Sequence, residues 1–131
     1  MVEWNEWQVE YFYSCLTGEK AKDQILFEEG PALLWRGYRA EPLKRLNTGR
    51  ALFYPGGIEF RTTAGKTKFF PIEEIFGENV QDKEKLEFYY QNRLYRLDFL
   101  SLRASAYMWF QAINLLHQRD KQMAIDGRSH V

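Results

Sequence analysis

Residue types that carry covalent or metal chemistry are sparse in this chain. There is one cysteine, Cys15, and there are two histidines, His117 and His130. A thiol needs a partner base to act as a nucleophile. Cys15 instead follows Trp4, Trp7, Tyr11 and Phe12 at near-helical spacing, and it reads as a small buried hydrophobe. Metal ligation calls for clustered Cys and His, which two distant histidines do not supply. The acidic pairs Glu28-Glu29 and Glu73-Glu74 are adjacent in sequence, so within a strand their members point to opposite faces. That is poor geometry for two carboxylates acting on one bond. Gly56-Gly57 lacks the Lys-Ser/Thr that would complete a phosphate loop, and it reads as a turn. The expectation is a non-enzyme with no metal and no cofactor.

Two groups of residues suit binding. The first is basic: Arg36, Arg39, Lys44, Arg45 and Arg50, against the single acid Glu41. Multiple cationic donors suit phosphate oxygens, including lipid headgroups. The plainer alternative is a solvated loop neutralised by the acidic blocks at 1–30 and 73–87. The second group is aromatic: Trp4, Trp7 and Tyr11 on one stripe. Such rings are enriched at interfaces, so the stripe either packs an extra helix onto the domain or meets a partner or a second copy. The charges balance at 18 basic and 18 acidic side chains. Nucleic-acid binding draws on a basic excess, and this composition argues against it.

The elements that would position these residues follow from periodicity. The chain has 131 residues, enough for one domain (1–131) with its own core. Aromatic content of 17% favours strands. A short helix is expected within 1–18, with Glu3, Glu6 and Glu10 toward its positive end and Gly18 as a stop. A strand-like lead-in at 25–29 breaks at Gly30-Pro31, and a strand follows at 32–39. Strands at 50–54 and 58–62 flank the Pro55-Gly56-Gly57 turn, and Ala64-Gly65-Lys66 turns into a strand at 68–72. Residues 72–76 end at Gly77. Strands at 85–90 and 94–100 flank a two-residue turn, Gln91-Asn92. The period then changes. Leu102, Ala106, Trp109, Ile113 and Leu116 form a helical stripe, broadened by Phe110 and Ala112. Arg103, Gln111, Asn114 and Gln118 are expected on the opposite face, with Asp98 or Ser101 as cap. The helix is expected over 101–120 and a frayed tail over 121–131.

Strands in meander order followed by one helix with a central tryptophan resemble the pleckstrin-homology (PH) superfold. The segments Gly49-Arg50-Ala51-Leu52-Phe53-Tyr54 and Gly57-Ile58-Glu59-Phe60 resemble the GRAM and bacterial PH-like pattern, as does Lys68-Phe69-Phe70-Pro71-Ile72-Glu73-Glu74-Ile75. The resemblance covers roughly residues 25–119. It implies a mainly β (α+β) fold, an antiparallel barrel or bent sandwich of about seven strands capped by the C-terminal helix. It also implies basic residues near the first hairpin gripping an anionic headgroup, and a free sheet edge beside the helix where a peptide adds as a strand. The second strand lacks a further basic residue two places after Arg50, a departure from the lipid-binding pattern.

The functional expectation is therefore a non-catalytic module for protein or peptide binding, self-association included. The alternative is peripheral binding to anionic lipid through residues 36–50. A lone cysteine without a disulfide partner, an acidic N-terminus and the lack of a long apolar run point to the cytoplasm.

Overall fold

The computed structural model describes residues 25–37, 42–101 and 105–129. Among them are seven strands: β1 (Phe27–Gly37), β2 (Lys44–Tyr54), β3 (Gly57–Thr62), β4 (Thr67–Pro71), β5 (Phe76–Asp82), β6 (Lys85–Tyr90) and β7 (Arg93–Phe99). One helix, α1 (Ala106–Ser129), follows them, and a short 3-10 turn (Ile72–Glu74) precedes β5. The strands form one antiparallel sheet in the order β4-β3-β2-β1-β7-β6-β5, curled into a half-barrel. The two meanders, β1–β4 and β5–β7, meet where β1 pairs with β7. The expected N-terminal helix lies outside the described residues.

Alternation sets the inner face. Leu34, Ala51, Phe53, Ile58, Phe60, Phe70, Leu86, Phe88, Tyr95, Leu97 and Phe99 are buried, one side of every strand but β5. Helix α1 closes over them with Ala106, Trp109, Ala112, Ile113 and Leu116. Trp109 is fully buried, and its indole meets Phe27, Phe53 and Phe99 at 5.4, 5.3 and 5.1 Å between ring centroids. A second aromatic cluster joins Phe70 to Phe88, Tyr90 and Tyr95 at 4.9–5.1 Å. The Lys68 ammonium lies 5.5–5.7 Å from the ring centres of Phe70, Tyr90 and Tyr95. The negative ring faces hold it there.

Two glycines of the middle hairpins are steric necessities. A Cβ on Gly49 would lie 1.9 Å from the Arg61 carbonyl oxygen, and one on Gly57 would lie 2.1 Å from that of Phe70. The β6–β7 turn places Gln91 and Asn92 at φ of 51° and 64°, the two positive values a tight hairpin turn requires.

The structure departs from the sequence expectations in several places, among them β2, which begins at Lys44 where the strand was expected only at 50–54. Chain 27–37 is one strand, carried through the cis Gly30-Pro31 bond with a shift of register against β2. Residues 76–82 form a strand that alternation did not announce. Helix α1 begins at Ala106, where the Ser105 hydroxyl accepts from the Met108 amide at 3.4 Å. Asp98 does not cap it; this carboxylate pairs with Arg96 within β7. The helix also continues to Ser129, where a frayed tail was expected. No helix among the described residues is long and apolar enough to cross a membrane.

Candidate functional site

Strand β5 ends the sheet, so one of its backbone edges has no strand partner among the described residues. Helix α1 runs beside it and is tied to it at two points. At the helix start the Ala106 amide donates to the Lys83 carbonyl, in the β5–β6 turn, at 2.8 Å. That turn is itself fixed by the Glu84 amide donating to the Asp82 carboxylate at 2.8 Å. Three turns along the helix is His117. Its Nε2 lies 3.0 Å from the Ile72 carbonyl and its Nδ1 3.3 Å from the Glu78 carboxylate. The carbonyl oxygen only accepts, so Nε2 is the donor there; an imidazolium would donate to both groups. Burial acts to raise the Glu78 pKa. The hydrogen bond from His117, the backbone amide bond at Glu78 and the His117 charge together outweigh it and leave the value lowered.

Between the two ties lies a groove of about 270 Å³ lined by Asn79 and Val80 of β5 and by Tyr107, Phe110 and Gln111 of α1. Its walls are mostly apolar. Gln111 Oε1 is buried there with no hydrogen-bond partner. This corrects the expectation that Gln111 faces solvent with Asn114 and Gln118. A buried carbonyl oxygen without a donor is costly, and it is satisfied if an incoming N–H reaches it. Phe76, at the start of the same strand, is 52% exposed and stacks on Tyr89 at 5.7 Å.

The basic residues are dispersed. Arg36 and Lys44 are register partners at the β1–β2 end, and Arg45, next to them, is exposed. Arg50 stands roughly 20 Å along β2 from Lys44, and it pairs with Glu28 at 3.0 Å. Arg39 lies outside the described residues, as do Trp4, Trp7, Tyr11, Cys15 and His130. Among the described residues no group of three or more His, Cys, Asp or Glu is placed to hold a metal ion.

The sequence placed Phe110 on the apolar face of the helix, as a core residue, and pointed neither to Tyr107 nor to the β5 side of the groove. The signal passed over is Val80 between polar neighbours, a single apolar residue in a polar run. The fold and groove together define an antiparallel half-barrel closed by one helix, with a recess along one edge. No family model matches the chain, and comparison with curated proteins finds none that matches it.

Proposed function

We propose that this chain is a PH-like, non-catalytic module that binds an extended peptide along β5. One observation carries the reading. An unpaired strand edge borders an apolar recess that holds an unpartnered acceptor, Gln111 Oε1. A peptide adding to the edge gains main-chain hydrogen bonds, and one of its side chains fills the recess between Val80 and Phe110. The strand order and the Trp109 plug support the PH-like assignment. The test is selection of a displayed random-peptide library on the full chain. Related sequences should be enriched, and the selected peptides should lose binding to Val80→Arg and Phe110→Asp variants whose circular dichroism is unchanged. Equal binding to both variants sinks the reading.

Anionic-lipid binding remains as a second reading because Arg36, Lys44 and Arg45 gather at one end of the sheet. Flotation with vesicles containing phosphatidylserine, against neutral ones, decides it. Loss of flotation in a Lys44→Glu/Arg45→Glu variant is the supporting outcome.

A further inference from the structure

Charge divides the two edges of the sheet. Both edge strands, β4 and β5, lack a second strand partner among the described residues. The β4 side is basic: residues 60–72 hold Arg61, Lys66 and Lys68 and no acid. The start of β5 is acidic. Glu73 and Glu74, on the 3-10 turn that leads into it, are both exposed, and Glu78 follows on the strand. Glu78 is shared with His117, whereas Glu73 and Glu74 make no ion pair among the described residues. The groove ends at this turn, because its Ile72 carbonyl meets His117 at 3.0 Å. Against these carboxylates α1 sets His117 and, one turn further, the exposed Lys121. The helix wall from Ala106 to Leu116 carries no charged side chain. The far end of the groove is balanced, with Asp82 and Glu84 against Lys83 and Lys85. Rings stand at the acidic end as well. Phe76 is 52% exposed, and Tyr89 stacks on it at 5.7 Å with 20° between the planes. Tyr89 alternates with the core residues Phe88 and Tyr90, so the pair lies on the outer face at the β5 edge. An exposed ring beside unpaired carboxylates suits a cation on an apolar stem.

We propose that the partner along β5 is a basic peptide, with Lys or Arg at the Phe76 end of the groove; this rests on the peptide reading above and orients the ligand. The cation lies over Phe76 with Glu73 and Glu74 beside it, while an apolar anchor enters between Val80 and Phe110. Phe76 and Val80 are about 13 Å apart along an extended strand. The basic residue therefore stands about three to five residues from the anchor, and on one side of it only. An acidic stretch is repelled from this end, and the basic β4 edge does not compete for the same peptide. Exposed charge pairs add little affinity singly. Their contribution is to position and selectivity, and it is screened by salt.

A random-peptide library selected on the full chain supplies the probes. Enriched peptides should carry Lys or Arg on one side of an apolar residue. Their affinity, read by fluorescence anisotropy, should fall about three- to tenfold in Phe76→Ala and in Glu73→Lys/Glu74→Lys. The second loss should shrink at about 0.5 M salt. All three side chains are exposed, so neither variant opens the core. Lys66→Glu, at the other edge, should bind as the parent does. A second selection on Glu73→Lys/Glu74→Lys should return Asp or Glu in place of the basic residue. Peptides that need Val80 but have neutral or acidic flanks overturn the proposal and leave the groove reading standing. Undiminished binding to both variants does the same. If no enriched peptide depends on Val80, both readings fall. A dimer by light scattering that Lys66→Glu and Glu73→Lys/Glu74→Lys each return to monomer also overturns the proposal, because the β4 edge of a second copy then fills the β5 edge.

Discussion

Single side chains at the two aromatic clusters do different work. Trp109 fills the space between α1 and the rings of Phe27, Phe53 and Phe99, and its indole nitrogen makes no hydrogen bond. Trp109→Ala should cost about 3–5 kcal/mol. Trp109→Phe removes an unsatisfied donor along with some volume, so its cost should be clearly smaller. Urea denaturation of the two variants gives the comparison, and equal losses would mean that ring volume is not what the helix contributes. Lys68 works by charge and by its stem. Three rings within 5.7 Å of its ammonium hold a cation that faces the core side of β4. Lys68→Met keeps the stem and removes the charge, and it should cost about 0.5–2 kcal/mol. A variant as stable as the parent would show that the stem alone matters. Neither role was legible in the sequence to the same degree. Trp109 sits on a clear helical stripe. Lys68 stands between polar Thr67 and Phe69, and nothing local says that Tyr90 and Tyr95 will fold around it.

At the scale of elements, legibility followed burial. Strands β3, β6 and β7 each bury one face, and their alternation is plain in the chain. Strand β5 is an edge with an exposed, bulged course (FGENVQD), so no apolar period marks it. The groove needs β5, and that side of it was therefore invisible. Strand β1 was split at Gly30-Pro31 because proline removes a ladder donor; the structure absorbs that loss in a register shift. The helix–β5 clamp was hidden for another reason: His117 and Ile72 are 45 residues apart. This clamp has a pH signature. The Glu78 carboxyl lies below its ordinary value of 4.5 in the folded chain. Its contribution is fully present above that value and is lost as pH falls through the lower folded pKa. Glu29 acts with the opposite sign, since burial raises its carboxyl, so the parent's own profile blends the two. The difference between parent and Glu78→Gln isolates the clamp. Melting temperatures should differ most above pH 4.5 and converge in acid. A difference that stays constant from neutral pH into acid would mean that the His117 contact contributes nothing as an ion pair.

For the molecule as a whole, the decisive pairing is β1 with β7. Residues such as Leu34 and Leu97 come together from distant parts of the sequence, and this pairing joins the two meanders. Neither meander completes the core alone: Phe53, Ile58 and Phe70 come from one, Phe88, Leu97 and Phe99 from the other, and Trp109 of α1 packs across both. A core shared in this way has no independent half, so unfolding should be all-or-none. The closure loop is long and its entropy is lost before the contacts form, so refolding should fall in the millisecond-to-second range typical of non-local β topologies. The groove depends on the same closure, because β5 reaches α1 only through β6 and β7. Peptide affinity and global stability should therefore be lost at one denaturant concentration. Far-ultraviolet dichroism, tryptophan emission and binding of a selected peptide, followed across one urea series, should give coincident midpoints once the ligand's own stabilisation is allowed for. An early loss of emission with dichroism intact would instead place α1 and the β5 edge in a separate unit, one that detaches while the β1–β4 meander stays folded.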